Sequence, residues 1–247
     1  MSRVAVVTGG ARGLGWAIGT CLRDEGWQVV AADLVPGEAE AGETGIAYRQ
    51  MDVCDRDQVS STLAAVVAEL GSLDLLVNNA GITRHRPLVD LTWDDWSAVV
   101  DVNLHGAFNC LQAAGRLMIE RGGGVIVNIA SVAAERGAPG RAPYATTKAA
   151  LVGLTRSAAV EWAPHGVRVN AVGPGYVDAG ILQAAIASGT LDPADLLDRI
   201  PAGRLAEPAE IGAMVSFLAS PQASYVTGQV LYVDGGFLAD YGVRVKQ

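Results

Sequence analysis

Short runs of consecutive apolar residues alternate along the chain with longer segments in which apolar residues recur every three or four positions. The short runs are rich in valine, isoleucine and leucine and lack an apolar–polar alternation, which is typical of strands covered on both faces of a parallel sheet. Seven runs predict strands over Arg3–Val7, Gln28–Ala32, Ile46–Gln50, Asp74–Val77, Val125–Ala130, Val167–Ala171 and Val230–Val233.

The intervening segments have helical periodicity, and proline or glycine marks several of their ends. They predict helices over Gly13–Gly26, Arg56–Leu70, Thr92–Arg121 (as one or two helices), Tyr144–Trp162 and Pro208–Leu218. Thr92 and Asp95 have the spacing of a capping box. Strands that alternate with crossover helices predict an α/β protein with a doubly wound, Rossmann-type, three-layer fold around a seven-stranded parallel sheet.

Two segments interrupt this alternation. Residues 34–45 are polar and glycine-rich, and they are too few for a good crossover helix, so we expect a loop there. Residues 177–201 contain helical fragments broken by Gly189 and Pro193, and we expect them to form a substrate lid. Because no Ser/Pro/Gly-rich linker and no repeat divides the chain, we predict one domain over residues 1–247.

Composition excludes several classes of function. The net charge of −8 would repel nucleic-acid phosphates. We see no signal-peptide pattern and no apolar run that could span a bilayer, so we expect a cytoplasmic protein without membrane contact. The cysteines and histidines lack metal-ligand spacing, so we predict no metal site and expect the cysteines to be buried, reduced thiols. These residues are Cys21, Cys54, Cys110, His85, His105 and His165.

A glycine-rich turn follows the first predicted strand, with the sequence TGGARGLG from Thr8 to Gly15. Gly9, Gly13 and Gly15 permit positive φ or close approach of the backbone to a ligand. The turn opens a helix, whose N-terminal N–H groups and dipole favour a pyrophosphate. A glycine-rich turn in this position predicts a dinucleotide site.

The second predicted strand leads into Asp33, 18 residues after Gly15. A carboxylate at this position can accept hydrogen bonds from the adenosine ribose hydroxyls and would repel a 2′-phosphate. Arg12 favours the opposite choice, because a guanidinium can pair with that phosphate. We give Asp33 more weight and predict NAD as the cofactor, with NADP as the alternative.

The chain resembles the short-chain dehydrogenase/reductase family along nearly its whole length. The matching motifs, in order, are TGGARGLG at 8–15, Asp52-Val53, NNAG at 78–81, Asn103, Ser131, Tyr144-x-x-x-Lys148 and Pro174-Gly175. This resemblance implies a catalytic set of Asn103, Ser131, Tyr144 and Lys148. It implies cofactor contacts from Gly9, Arg12, Gly13, Leu14, Gly15, Asp33, Leu34, Asp52, Val53, Asn79, Ala80, Gly81, Tyr144, Lys148, Pro174, Gly175 and Val177.

One position departs from the family pattern. Many members have a threonine four residues after the PG turn, where it contacts the nicotinamide carboxamide, and this chain has Ala179. Orientation of the cofactor would then depend more on backbone groups such as those of Val177.

The implied chemistry is proton transfer coupled to hydride transfer. Residues i and i+4 share a helix face, so Lys148 can bring its ammonium group near the Tyr144 oxygen and favour the phenolate. Ser131 ends the fifth strand and could stabilise charge on the substrate oxygen; no Gly-x-Ser-x-Gly elbow surrounds it, so we do not expect a nucleophile. The resemblance implies that Asn103 positions a water. We therefore predict an NAD(H)-dependent oxidoreductase that interconverts a secondary alcohol and a ketone, with Tyr144 as acid/base.

The substrate is less well defined by the sequence. Two loops carry five basic residues that could form a rim suited to an anionic or polyhydroxylated substrate, although loop arginines are usually only solvated: Arg84, His85, Arg86, Arg136 and Arg141. Ile181, Leu182 and Ile186 in the predicted lid suit an apolar alcohol or cyclic ketone instead.

Two other functions are compatible with the same residues. The first is an NADPH-dependent 3-oxoacyl-[acyl-carrier-protein] reductase. Three features of the chain resemble such enzymes: NNAGITR, IPAGRLAEPAEI at 200–211 and Arg12. A non-catalytic dinucleotide-binding sensor or scaffold is the other. The family resemblance also implies a homotetramer or homodimer, for which the apolar stretches at 99–117 and 149–162 are suitable.

Overall fold

The computed structural model describes residues 2–37, 45–187, 189 and 192–240. Its single sheet has seven parallel strands in the order β3-β2-β1-β4-β5-β6-β7. The strands are β1 (Val4–Thr8), β2 (Gln28–Asp33), β3 (Ile46–Gln50), β4 (Leu75–Asn78), β5 (Gly124–Ile129), β6 (Val167–Pro174) and β7 (Val230–Val233). The predicted doubly wound parallel sheet is therefore confirmed, and the predicted strand limits agree to within about three residues.

Eight α-helices surround the sheet in the part of the chain that the structure describes. They are α1 (Gly13–Asp24), α2 (Arg56–Leu70), α3 (Trp93–Val100), α4 (Ala107–Arg121), α5 (Ala142–Trp162), α6 (Gly180–Ala187), α7 (Pro193–Leu197) and α8 (Pro208–Ala219). The helical region predicted over Thr92–Arg121 is two α-helices joined without a break by a π-helical segment, Asp101–Gly106. Single π-helical insertions often mark functional sites.

Alternate side chains of β1 belong to two different hydrophobic cores, one on each face of the sheet. Val4 and Val6 belong to the core beneath α2 and α4, whereas Ala5 and Val7 belong to the core beneath α1 and α8. All four are fully buried. The continuous apolar sequence of this strand thus follows from burial on both faces, which gives the three layers predicted from the sequence.

The predicted capping box at Thr92 forms only in part. The Thr92 hydroxyl accepts from the backbone N–H of Asp95, as predicted, but the Asp95 carboxylate accepts from the Thr92 hydroxyl and from Arg86 rather than completing the reciprocal bond. The guanidinium of Arg86, from a neighbouring loop, thus binds the carboxylate that would have completed the capping box. A complete capping box occurs instead between Glu207 and Glu210 at the start of α8.

The predicted burial of all three cysteines is wrong. Cys110 is buried in α4, but Cys21 is half-buried and Cys54 is exposed, because it lies in the loop that connects β3 to α2. All three are free thiols, and partial desolvation of the Cys54 sulfur, together with the neighbouring Asp52 carboxylate, raises the pKa of that thiol to about 11. The described residues contain no group of three or more His, Cys, Asp or Glu that could hold a metal, and none of their helices is long and apolar enough to cross a membrane.

Both segments that interrupt the sequence pattern are described in part. Of the predicted loop at 34–45, residues 38–44 lie outside the described residues. The predicted lid contains α6 and α7, and its first residue, Val177, pairs with Ala206 in an isolated parallel bridge. Its movement as a lid stays a prediction.

Candidate active site

The carboxyl ends of β1 and β4 adjoin at the point where the strand order changes direction, which is where open α/β sheets bind ligands. Asn79, just after β4, donates through Nδ2 to the backbone oxygens of Thr8 and Gly9 over 3.0 and 3.1 Å. The Thr8 hydroxyl in turn accepts from the N–H groups of Asn79 and Ala80 over 3.0 and 3.1 Å. These bonds fasten the glycine turn to the NNAG motif.

Two glycines of the turn are required by close packing. A Cβ on Gly9, whose φ is +60°, would lie 2.9 Å from the Cα of Ala80. A Cβ on Gly15 would lie 2.1 Å from the carbonyl oxygen of Gly9. Any side chain at either position would therefore displace the turn, which explains these glycines without reference to a ligand.

Gly13 has a different environment. Its φ is +55°, yet a Cβ there would meet only the Cα of Gly180, at 4.0 Å. It begins α1, and Arg12 provides no side-chain cap for the first N–H groups of that helix within the described structure. An open cradle before uncapped N–H groups fits a pyrophosphate, so the residues present fit a dinucleotide.

Asp33 stands beside this turn at the end of β2. Its carboxylate accepts from the N–H of Ala11 over 3.2 Å and from the N–H of Leu34 over 2.8 Å. The side chain of Arg12 is exposed. The carboxylate is thus fixed next to the phosphate cradle, in the position that the sequence predicts for the ribose ligand.

The Asp52-Val53 pair forms the loop after β3. The Asp52 carboxylate accepts from the N–H of Cys54 over 2.8 Å, and the carbonyl of Val53 accepts from Asn109 in α4 over 3.0 Å. A Cβ on Gly106 would lie 2.6 Å from the Val53 side chain, so the π-helical segment packs directly on this loop. The loop is held at the sheet edge, and its predicted adenine contact stays a prediction.

Asn103 lies inside the π-helical segment and is fully buried. Its side chain forms two hydrogen bonds with the backbone of one residue: Oδ1 accepts from the N–H of Ile82 over 2.8 Å, and Nδ2 donates to the carbonyl of Ile82 over 2.9 Å. Nδ2 also lies 3.3 Å from the hydroxyl of Thr147, which donates to the carbonyl of Tyr144 over 2.8 Å. Asn103 therefore joins the loop after NNAG to the helix of the proposed acid/base.

Ser131 follows β5 and caps the short helical turn Val132–Ala134. Its buried Oγ accepts from the N–H of Ala133 over 3.1 Å. Because this contact uses an oxygen lone pair, the hydroxyl proton stays available for donation to a substrate oxygen.

Tyr144 and Lys148 lie one turn apart on α5. The Nζ of Lys148 is 5.6 Å from the centroid of the Tyr144 ring and donates to the carbonyl of Ile129 over 2.6 Å. The ammonium is almost entirely buried, and this burial lowers the pKa of Lys148, while the nearby Tyr144 acts in the opposite direction. The pair adjoins the turn that begins at Ser131, so three of the four predicted catalytic residues lie on α5 or just after β5.

The PG turn closes the other side of the site. A Cβ on Gly175 would lie 2.8 Å from the Cα of Asp234, so β6 and the segment after β7 approach too closely for a side chain. Gly175 donates its N–H to the carbonyl of Val233 over 2.9 Å. The carbonyl of Val177 accepts from Ala179, whereas its N–H has no acceptor within the described structure. That N–H is consistent with the predicted backbone contact to a cofactor.

Three residues outside the predicted set of site residues also shape the site. Thr8 and Thr147 provide the hydroxyls described above, and Arg141 places its Cζ 4.5 Å from the centroid of the Tyr144 ring. Thr8 belongs to the quoted glycine motif and Thr147 precedes Lys148, so their positions next to motif residues could have indicated a role at the site. Arg141 appeared only as one of five basic loop residues.

A doubly wound parallel sheet with an open phosphate cradle beside a Tyr–Lys pair defines a dinucleotide-dependent oxidoreductase. A family model described as Enoyl-(Acyl carrier protein) reductase matches residues 9–238. The chain belongs to the short-chain dehydrogenase/reductase family.

Curated relatives match nearly the full chain. The 3-oxoacyl-[acyl-carrier-protein] reductase FabG of Staphylococcus aureus (strain Mu50 / ATCC 700699) is 41% identical over 244 residues, covering 96% of this chain and 98% of the relative. The acetoacetyl-CoA reductase of Shinella zoogloeoides is 41% identical over 239 residues, with 96% and 98% coverage. Among solved structures, a gluconate 5-dehydrogenase from Burkholderia cenocepacia J2315 in complex with NADP and tartrate is 37% identical, with a TM-score of 0.90 and coverage of 97% of each chain.

Proposed function

We propose that the protein interconverts a secondary alcohol and a ketone, with Tyr144 as the proton donor and acceptor. The observation that carries this proposal is the buried ammonium of Lys148 at 5.6 Å from the Tyr144 ring, next to the turn that begins at Ser131. A buried cation stabilises negative charge on its neighbour, which helps the phenolic oxygen exchange a proton with the alcohol. Ser131 donates its hydroxyl proton to the substrate oxygen and stabilises the charge that develops there.

The nicotinamide dinucleotide supplies the hydride acceptor for oxidation and the hydride donor for reduction. Gly13 and the first N–H groups of α1 would hold its pyrophosphate, and Asp33 would hold the adenosine ribose. Because the Asp33 carboxylate is fixed by Ala11 and Leu34, it cannot turn away from a 2′-phosphate without losing these bonds. This geometry supports NAD(H) as the cofactor.

The second candidate is an NADPH-dependent 3-oxoacyl-[acyl-carrier-protein] reductase. The relatives favour this function over the first: FabG from Staphylococcus aureus is 41% identical across the chain, and a similar solved structure contains NADP. The exposed side chain of Arg12 offers a partner for a 2′-phosphate. The two candidates share every catalytic residue and differ in the acyl-thioester substrate and in the cofactor.

Steady-state rates on one panel separate the candidates. Cyclic ketones, oxo-carboxylates, ketoses and 3-oxoacyl thioesters would each be reduced with NADH and with NADPH. The first candidate predicts a kcat/KM at least about tenfold higher with NADH for the best ketone. A preference for NADPH together with a 3-oxoacyl thioester would establish the second candidate. Binding of NADH without turnover on this panel and on the matching alcohols would instead indicate the dinucleotide sensor.

We further propose a cytoplasmic homotetramer or homodimer, formed from single-domain subunits with a lid over residues 177–201. The exposed side chain of Val160 on α5 and the unpaired edge of β7 in the described sheet support self-association. Light scattering after gel filtration tests the oligomeric state, and a monomeric mass at micromolar concentration would contradict it.

A further inference from the structure

Four of the five basic residues in the two loops beside the site are already accounted for. Arg84 and Arg86 both face the Asp95 carboxylate, at 3.7 and 2.9 Å. Arg136 donates to the carbonyls of Leu238 and Asp240 over 3.0 and 2.6 Å. Burial and the nearby Arg141 lower the pKa of His85 below its ordinary value, which disfavours the charged imidazole. Asp95 thus neutralises Arg84 and Arg86. Arg136 is bound to backbone carbonyls, and the charged form of His85 is disfavoured.

Arg141 is the exception. Its guanidinium lies over the Tyr144 ring, with 4.5 Å from Cζ to the ring centroid, and its Nε is completely buried without an acceptor among the described residues. A buried donor on a cation that lacks an acceptor is strongly disfavoured unless a ligand provides one. An anionic group of a ligand beside the Tyr144 ring would supply the acceptor that Nε lacks.

The loop that carries Arg141 is bonded to the loop after NNAG, which contains a second unsatisfied donor. The N–H of Arg86 donates to the carbonyl of Gly140 over 2.9 Å, which joins the loop after NNAG to the loop before α5. Thr83 in the first of these loops has a second buried donor without a partner, its Oγ1. Two unsatisfied donors thus lie in two loops that are bonded to each other.

The charge around Tyr144 points to the same kind of ligand. Arg141 and Lys148 both face its ring, at 4.5 Å from Cζ and 5.6 Å from Nζ, and Lys148 is almost entirely buried. The Asp95 carboxylate is occupied by Arg84 and Arg86. Two cations thus face the ring of the proposed acid/base.

We propose that Arg141 binds a carboxylate of the substrate, so that the enzyme acts on a small hydroxy- or oxo-carboxylate whose acid group is a few bonds from the reacting carbon. This inference rests on the proposed alcohol–ketone activity and specifies its substrate class. A guanidinium binds a carboxylate through charge-assisted hydrogen bonds, which an ester of the same acid cannot replace. Arg141 is thus a specificity-determining residue next to the acid/base.

The test compares each acid with its own methyl ester. Oxidation of 3-hydroxybutyrate, lactate and malate and of their methyl esters would be measured for wild type, Arg141→Gln, Arg141→Lys and the control Arg84→Gln. The control removes the same charge from the same rim, at a residue paired with Asp95. We expect Arg141→Gln to reduce the acid-to-ester ratio of kcat/KM about 10- to 100-fold, the effect of one charge-assisted hydrogen bond. Arg141→Lys should restore part of it, and Arg84→Gln should leave it unchanged.

The ratio distinguishes binding of the substrate from positioning of the tyrosine. If Arg141 only held the Tyr144 ring, its replacement would slow acid and ester equally, and that result would overturn the proposal. Preference of wild type for the esters would overturn it as well. Activity on neutral alcohols alone contradicts the inference but leaves the alcohol–ketone activity intact, whereas no turnover of any alcohol or ketone contradicts the activity itself.

A binding measurement tests the pocket without turnover. Calorimetric titration of tartrate into the NAD-loaded protein should give a dissociation constant that increases at least about tenfold in Arg141→Gln and is unchanged in Arg84→Gln. No binding to wild type, or equal binding to Arg141→Gln, would count against the carboxylate pocket.

Discussion

The N–H of Ala11 donates to the carboxylate of Asp33 over 3.2 Å, linking the glycine turn to the end of the second strand. One side chain thereby both supports the glycine turn and places a negative charge beside it. If Asp33 binds the adenosine ribose as we propose, cofactor choice and the geometry of the turn are connected through this residue.

Replacing Asp33 by Asn should weaken the preference for NADH. Asparagine keeps an oxygen that can accept from Ala11, but it removes the charge that repels a 2′-phosphate. We expect the NADH-to-NADPH ratio of kcat/KM to fall at least about tenfold. Arg12→Gln is the matched variant, because its side chain is exposed and NADH lacks the 2′-phosphate with which this guanidinium could pair. An unchanged ratio in Asp33→Asn would contradict the role of Asp33.

Thr8→Val should destabilise the protein, whereas Thr20→Val should not. Valine at position 8 leaves the N–H groups of Asn79 and Ala80 without their acceptor, which we expect to reduce the free energy of unfolding by about 2 kcal/mol or more. The Thr20 hydroxyl is buried without a partner in the described structure, so its removal should change that free energy by less than about 0.5 kcal/mol or increase it. Urea unfolding of both variants measures the difference, and equal effects would refute the asymmetry.

Gly13→Ala should impair cofactor binding while the fold persists. The added methyl group enters the open cradle at a φ of +55°, so it combines backbone strain of about 1 kcal/mol with obstruction of the pyrophosphate. Gly71→Ala at the end of α2 imposes similar strain, at a φ of +85° and with open space around the methyl group. Fluorescence titration with NADH should show at least about tenfold weaker binding for Gly13→Ala only. Similar affinities in both variants would exclude the cradle.

Lys148→Met should abolish most activity without loss of stability. Because burial lowers the pKa of Lys148 from its ordinary 10.5, protonated lysine destabilises the folded state below that pH. The destabilisation disappears as pH rises towards 10.5, so any stability gain of the methionine variant over wild type should be largest near neutral pH and shrink by pH 10. Chemical unfolding at both pH values measures this. A gain that grows with pH would have the wrong sign.

Sequence alone could predict the sheet because burial on both faces leaves a direct pattern, as in Val4 to Val7. It could not resolve Thr92–Arg121, since the π-helical turn around Asn103 contains no proline and depends on bonds to Ile82 and Thr147 from distant parts of the chain. The capping box at Thr92 formed only in part for the same reason, because Arg86 approaches the Asp95 carboxylate from another loop.

The residues of the candidate site also fall into those that the sequence could place and those that it could not. Motif residues such as Tyr144 and Lys148 could be placed because a helix fixes their relative position. Selecting Arg141 from five basic residues required knowing which carboxylate each cation meets, and loop sequences do not contain that information. The Glu207–Glu210 capping box, in contrast, is local, yet glutamate at the cap position is not among the preferred capping residues.

Turnover by Tyr144→Phe tests the central claim most directly. With the best alcohol of the panel and saturating NAD, we expect kcat to fall at least about a thousandfold, because phenylalanine keeps the ring but has no proton to exchange. NADH affinity and the unfolding midpoint should remain near the wild-type values. Turnover within about tenfold of wild type would contradict the assignment of Tyr144 as the acid/base.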